Sequence, residues 1–173
     1  MEEAMNFVVS QCITIPEIKI PFEDLRHPQK AYSIEKAMNL YINLDHDQHI
    51  GAWFLQPLKD HDGQFLPRSV DEQYIPPTMA SSLRTPLVGK NETIMLYLHG
   101  ISETRAAWYR RELYQVFQQM GCYVLAIDYR CYGDSSKLLC PTQTSLVEDG
   151  LAAFEWIESN VDPDANIFIW GHR

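Results

Sequence analysis

The second half of the chain alternates between short apolar runs and longer segments with a helical repeat. Apolar runs at residues 93–98, 122–127 and 166–170 have the length of strands, and the middle run is apolar on both faces, as in a central parallel strand. Residues 104–120, and a segment from 144 or 145 to about 160, carry apolar residues at three-and-four spacing. The pattern predicts an α/β fold in which right-handed helical crossovers join parallel strands into a three-layer sandwich.

The apolar positions of each helix predict the face that it buries. Gly121 is expected to end the first helix, and Ser145 with Glu148 is expected to form a capping box at the start of the second. The predicted buried positions are Ala106, Tyr109, Leu113, Val116, Phe117 and Met120 in the first helix and Val147, Leu151, Phe154 and Ile157 in the second.

The first half of the chain is richer in loops and has one pair of strand-like runs. Residues 38–43 and 50–55 flank the polar residues 45–48, which suit a hairpin turn, so we expect two antiparallel strands at one edge of the sheet. Residues 57–89 contain five prolines and few apolar clusters, which predicts a long surface excursion. We therefore expect an N-terminal segment, residues 1–30, followed by one domain, residues 31–173.

Charge and hydropathy exclude several classes of function. The formal net charge is -9, from 23 acidic and 14 basic residues without a basic cluster, which argues against a nucleic-acid partner or a polybasic membrane contact. The longest apolar run is shorter than the roughly 20 residues that cross a bilayer. Glu2 and Glu3 stand where a secretory signal would carry basic residues, so neither a transmembrane nor a signal segment is visible.

Neither the cysteines nor the histidines have the spacing of a metal site. Cys12, Cys122, Cys131 and Cys140 are scattered, so we expect free thiols and no disulfide framework, metal or cofactor. We expect His46, His49 and His61 to be solvated loop residues.

Asn91 begins the triplet Asn-Glu-Thr, which makes it a candidate for N-glycosylation should the chain enter the secretory pathway.

Candidate chemistry follows each of the three predicted parallel strands, where open α/β sheets bind their ligands. The first strand is followed by His99, Gly100 and Ile101, and Gly100 permits a sharp turn that can aim the N–H of Ile101 outward as an oxyanion-hole donor. The second leads into residues 128–135, which include Asp128 and Gly133. The third ends in Gly171, His172 and Arg173.

The last of these turns matches the first half of a nucleophile elbow, the Gly-x-Ser-x-Gly turn that exposes a catalytic serine. Arg173 stands at the serine position, and its guanidinium is always a cation without a nucleophilic hydroxyl. We therefore expect that the chain as given does not hydrolyse esters by this mechanism.

Several of the same residues have a structural interpretation. His99 and Asp128 are expected to tie loops together by hydrogen bonds, and Asp134 and Asp149 receive no catalytic role. A nucleotide-binding βαβ domain is disfavoured because residues 99–104 contain a single glycine instead of Gly-x-Gly-x-x-Gly.

The runs LYLHG at 96–100, RELY at 111–114, DYR at 128–130, GDS at 133–135 and IWGH at 169–172 resemble the α/β-hydrolase domain-containing protein 12 family of lysophosphatidylserine and monoacylglycerol lipases. A weaker similarity extends upstream to residues 50–53. The resemblance implies an incomplete α/β-hydrolase fold, its amino-terminal half, ending at the nucleophile elbow.

The resemblance also implies a parent function. Family members are Ser-Asp-His hydrolases of lysophospholipids and monoacylglycerols at the endoplasmic-reticulum membrane, and Ile101, Gly171 and His172 are the positions that carry over. Two departures are Cys131, where the family motif has glycine, and the turn Ile101-Ser102-Glu103, where the family has a more polar turn containing glycine. Both loosen the transfer of substrate preference.

Two hypotheses remain for the chain. It is the amino-terminal part of a lipid-type serine hydrolase, inactive in this form, or it is a non-catalytic product that acts by pairing its apolar strand at 166–170 with another protein.

Overall fold

The computed structural model describes residues 22–59, 64, 86–139 and 141–172, and within them the chain forms a five-stranded mixed sheet with helices on both faces. The order of strands across the sheet is β1-β2-β4-β3-β5. The strands are β1 Ala37–Asn43, β2 His49–Leu55, β3 Thr93–Leu98, β4 Tyr123–Asp128 and β5 Asn166–Gly171. The helices are α1 Phe22–Arg26, α2 Pro28–Tyr32, α3 Trp108–Gln119 and α4 Gln143–Asn160.

The predicted hairpin is confirmed at one edge of the sheet. Strands β1 and β2 are antiparallel, with Ala37 opposite Leu55. His46 and Asp47 have φ angles of 60° and 57°, a pair of left-handed residues whose twist suits a tight hairpin. The second strand pairs antiparallel with β4, which joins the hairpin to the rest of the sheet.

The three parallel strands are also confirmed. Strand β3 lies between β4 and β5, and Leu96 is the register partner of both Leu125 and Ile169. Because these strands run in the same direction, their carboxyl ends and the turns that follow them meet at one edge of the sheet.

The core has two parts, one on each face of the sheet. On one face, Ala153 and Ile157 of α4 pack with Leu96 and Leu125. On the other face, Tyr114 and Phe117 of α3 pack with the strand residues whose side chains point to that side. These include Trp53, Tyr97, Val124 and Ala126. This arrangement of helix, sheet and helix is the predicted three-layer sandwich.

The start and the buried face of α3 differ from the prediction. The helix begins at Trp108, because residues 104–107 form a turn closed by a 3.1 Å hydrogen bond from the Ala107 N–H to the Thr104 carbonyl. Val116 and Met120 are 49% and 70% exposed. Phe117 is buried as predicted, and the helix also buries Arg110, Tyr114 and Gln118. Hydropathy missed Arg110 and Gln118, which are polar side chains that donate hydrogen bonds to carbonyls outside the helix. Gly121, with φ of 82°, follows the end of the helix as predicted.

Helix α4 ends at Asn160 and buries Ile157 as predicted, but its start and two of its four predicted buried positions were wrong. Thr142 is the N-cap, and it exchanges hydrogen bonds with Ser145 in a capping box one turn earlier than the predicted one. Val147 and Leu151 are exposed. The buried positions are Ser145, Asp149, Ala153 and Ile157. The helix turns this face inward because Asp149 binds Arg130, which follows β4.

Candidate active site

The turns after β3 and β5 are joined directly. The backbone N–H of His172 donates to the Leu98 carbonyl at 2.9 Å. The Nδ1 atom of His172 lies 2.5 Å from the Tyr97 hydroxyl, and its ring stands edge-on to the rings of Tyr97 and Tyr109. The structure thus places His172 beside the turn that begins at His99.

His99 is buried at the start of that turn and is neutral. Burial, reinforced by the positive charge of Arg110, lowers the pKa of His99 to about 3. Its Nδ1 lies 2.6 Å from the Gly100 carbonyl, which can only accept, so Nδ1 carries the proton and Nε2 is an acceptor. Nε2 lies 3.4 Å from both the Tyr129 N–H and a carboxylate oxygen of Asp128.

Asp128, at the end of β4, belongs to a buried cluster of charges centred on Arg105. The Arg105 guanidinium lies 2.5 Å from Asp128 and 2.8 Å from Asp134, and it also donates to Asn39 at 2.8 Å. It lies over the Trp53 ring at 5.2 Å. Two carboxylates share one guanidinium, so the cluster carries a net charge of -1 when both are ionised.

The two carboxylates of the cluster have pKa values shifted in opposite directions. Burial raises the pKa of Asp128 to about 6, with Arg105 opposing and Asp134 adding to the rise. Burial also disfavours the charged form of Asp134, but the Arg105 charge and its hydrogen bond bring the pKa of Asp134 below its usual value. Asp128 is therefore the carboxylate that takes up a proton first as the pH falls, and Asp134, the nearer of the two to solvent, stays ionised to lower pH.

Asp134 connects this cluster to the hairpin. Its carboxylate accepts a 2.8 Å hydrogen bond from the Tyr41 hydroxyl. His49 lies 3.1 Å from the Asp134 carbonyl and 3.2 Å from the Ser136 hydroxyl. The expectation that His49 is a solvated loop residue is therefore wrong, because it starts β2 and binds the loop after β4. His46 is exposed in the hairpin turn as expected, and His61 lies outside the described residues.

Two residues after β4 have a left-handed backbone. Gly133 has φ of 49°, and a Cβ atom there would overlap the Asp128 carboxylate, so this position requires glycine. Cys131 has φ of 75° and is buried, with its sulfur accepting from the Leu138 N–H at 3.0 Å. The glycine of the family motif would meet this backbone requirement without strain. Cys131 and Cys122 are free thiols, whereas Cys12 and Cys140 lie outside the described residues.

The remaining predicted positions are on the surface or beyond the described residues. Ile101 is 55% exposed and follows β3 at the carboxyl edge of the sheet. Asn91 is exposed in a turn with φ of 61°, and Gly171 has open space around its Cα. Arg173, the predicted nucleophile position, lies outside the described residues.

Sequence reasoning missed three side chains that shape this region. Arg105 and Arg110 are buried arginines in or near the α3 pattern, and Tyr132 hydrogen-bonds the Ile101 carbonyl at 3.0 Å. Arg110 donates to the carbonyls of Ser102 and Thr104. No local pattern marks these residues, because each finds its partner in another segment.

The described residues offer neither a metal-binding group nor a membrane-spanning helix. The parts of the chain that the structure describes contain no group of three or more His, Cys, Asp or Glu able to hold a metal ion. Within the same residues, every helix is too short or too polar to span a bilayer.

Comparison with known proteins identifies relatives over nearly the whole chain. Lysophosphatidylserine lipase ABHD12 of Mus musculus is 31% identical over 180 aligned positions, which cover 98% of this chain and 40% of the relative. The corresponding protein of Xenopus tropicalis is 30% identical over 95% of this chain, and protein ABHD12B of Homo sapiens is 30% identical over 89%. The chain thus spans about two fifths of the length of the curated relatives that it matches. No family model matches it.

Solved structures agree on the fold. An esterase of Pyrococcus furiosus, Pf2001, superposes with a TM-score of 0.54 at 17% identity, covering 83% of this chain and 42% of the esterase. A second crystal form of that esterase gives a TM-score of 0.51. At this identity the similarity establishes an α/β-hydrolase type of fold, of which the described residues form a part.

Proposed function

Because this chain belongs, as a partial region, to the α/β-hydrolase domain-containing protein 12 family, we propose that it forms part of the catalytic domain of a lipid-type serine hydrolase. The substrates are the acyl esters of lysophospholipids and monoacylglycerols. We also infer a setting at the endoplasmic-reticulum membrane, which the family resemblance implies and which subcellular fractionation with organelle markers tests.

The observation that carries the proposal is the hydrogen bond between the turns after β3 and β5. The 2.9 Å bond from His172 to Leu98 brings the predicted oxyanion donor, the N–H of Ile101, to the same sheet edge as Gly171 and His172. A serine hydrolase needs this proximity, because the donor must reach the oxygen of the carbonyl that the nucleophile attacks.

In this proposal Ile101 stabilises developing negative charge, and Gly171 and His172 frame the nucleophile turn. His99 and Asp128 maintain the strand ends and do not transfer protons. Buried, neutral His99 suits this role because its Nδ1 proton is committed to the Gly100 carbonyl.

The test compares two polypeptides. One is expressed from a transcript in which residue 172 is followed by serine, any residue and glycine, and the other consists of residues 1–173 alone. The first is expected to release fatty acid from lysophosphatidylserine and monoacylglycerol and to be labelled by a fluorophosphonate. The second is expected to do neither, because Arg173 offers no nucleophilic hydroxyl. Absence of both activities in the first polypeptide would refute the proposed function.

A second candidate function is protein contact through β5. This strand is an edge of the described sheet, and Phe168, Ile169 and Trp170 are 56%, 58% and 43% exposed. An exposed apolar edge strand favours pairing with another polypeptide segment. Sedimentation of residues 1–173 tests this: self-association or partner binding that Ile169→Lys abolishes supports contact through β5, and a monomer that binds no partner argues against it.

A further inference from the structure

The turn between β3 and α3 has its carbonyl groups fixed by side chains from three segments. His99 lies at the end of β3, Arg110 is in α3 and Tyr132 follows β4, and all three are buried. The contacts are His99 Nδ1 to the Gly100 carbonyl at 2.6 Å, the Tyr132 hydroxyl to the Ile101 carbonyl at 3.0 Å, and the Arg110 guanidinium to the carbonyls of Ser102 and, at 2.6 Å, Thr104.

These contacts determine where the N–H groups of the turn point. In a trans peptide unit the carbonyl of one residue and the N–H of the next point in opposite directions. The carbonyls of Gly100, Ile101 and Ser102 face buried side chains, so the N–H groups of the residues that follow each of them face away from the interior. Ile101 and Ser102 are themselves exposed, in agreement with this orientation.

The charge on Arg110 adds to this effect. A guanidinium that donates to a carbonyl polarises the peptide unit, and hydrogen bonds to charged groups are stronger than those between neutral groups. The positive charge therefore strengthens the N–H of Glu103, which shares a peptide unit with the Ser102 carbonyl, as a donor to an anion. The same guanidinium lies over the Tyr109 ring, 5.4 Å from its centre, in a cation–π contact.

We propose that Arg110 is a positioning residue for ester hydrolysis, acting with Tyr132 to hold the turn so that its N–H groups face the substrate carbonyl. This inference rests on the proposed function and deepens it. Neither residue touches the substrate, and each acts through the backbone of the turn.

The main test uses the polypeptide in which residue 172 is followed by serine, any residue and glycine, with p-nitrophenyl butyrate as substrate, and compares Arg110→Gln with Arg111→Gln. Arg111 is a matched control, because it lies on the same helix and donates to a backbone carbonyl, that of Tyr32, far from the turn. Loss of a whole oxyanion donor costs 10²–10³ in kcat, so a misdirected one is expected to lower kcat by about 10- to 100-fold with KM changed less than about threefold. Arg111→Gln is expected to retain kcat within about twofold.

Two further variants keep the test decisive if Arg110→Gln does not fold. Tyr132→Phe removes one hydroxyl and is expected to lower kcat, whereas Tyr123→Phe, which loses a hydroxyl near Glu92 at the other end of β4, is not. Arg110→Lys keeps the charge and is expected to recover part of the kcat lost in Arg110→Gln.

The outcomes separate the two proposals. A wild-type enzyme without esterase activity refutes the proposed function. An active wild type in which Arg110→Gln and Tyr132→Phe lose no more kcat than their controls refutes the positioning role alone. Residual dipolar couplings of the Ser102 and Glu103 amides, measured on the wild type and Tyr132→Phe, report the same orientation without activity, and unchanged couplings would also overturn it.

Discussion

Replacement of Arg105 by methionine tests whether the charge cluster beneath the site depends on its single cation. Methionine keeps much of the apolar contact with Trp53 and removes the guanidinium that Asp128 and Asp134 share. Removal of one partner of a buried ion pair costs about 3–5 kcal/mol, because the other charge stays buried without compensation. Two carboxylates lose their partner here, so we expect a loss at the upper end of that range at pH 8.

The pH dependence of this loss distinguishes charge from packing. The pKa of Asp128 in the folded chain is raised from 3.8 to about 6, so the folded state binds a proton between these values that the unfolded state does not. This tighter proton binding stabilises the folded state fully below pH 3.8, and the stabilisation is lost as the pH rises through about 6. Without Arg105 the pKa of Asp128 rises further. The stability of the variant therefore continues to fall to a higher pH than that of the wild type, and each additional unit of pKa adds about 1.4 kcal/mol to the loss.

Urea denaturation followed by circular dichroism at pH 5 and pH 8 measures the difference. The free-energy loss in Arg105→Met is expected to be smaller at pH 5, where Asp128 is protonated, than at pH 8. Arg111→Met, which loses a bond to a backbone carbonyl, is expected to show the same loss at both pH values. Adding Asp128→Asn to Arg105→Met should recover stability at pH 8. An equal loss at both pH values would mean that packing over Trp53, and not charge compensation, is the role of Arg105.

Three further predictions concern the backbone and the surface. Gly133→Ala is expected to destabilise the fold by more than about 2 kcal/mol in urea denaturation, since positive φ and steric overlap add, whereas Gly171→Ala, with open space around it, is expected to have a much smaller effect. Thr142→Ala is expected to cost about 1 kcal/mol through loss of the N-cap of α4, and Thr144→Ala, at an exposed helical position, to cost under about 0.5 kcal/mol. Asn91 is expected to accept a glycan when a signal peptide directs the chain into microsomes, seen as a mass shift that a glycosidase and Asn91→Gln each abolish; an unshifted wild type would contradict this.

The sequence alone determined the elements that depend on local patterns. A short apolar run between turn residues predicts a buried strand from the local pattern alone. Gly121 can end a helix because glycine adopts a left-handed backbone without any long-range contact. The hairpin, the parallel strands and the turns after them were predictable for the same reason. So were the surface positions of Asn91 and His46.

Only the tertiary structure decided which polar side chains are buried. Arg105 is 66 residues from Asn39, yet their side chains meet, and Arg110 and Tyr132 reach one turn from different elements. A buried arginine is stable only when its acceptors converge on it, and this convergence depends on the order of the strands and the faces of the helices. Hydropathy treats every arginine as a surface residue, so it found Phe117 but missed the burial of Arg105 and Arg110, and it could not find the charges and hydrogen bonds that hold the candidate site.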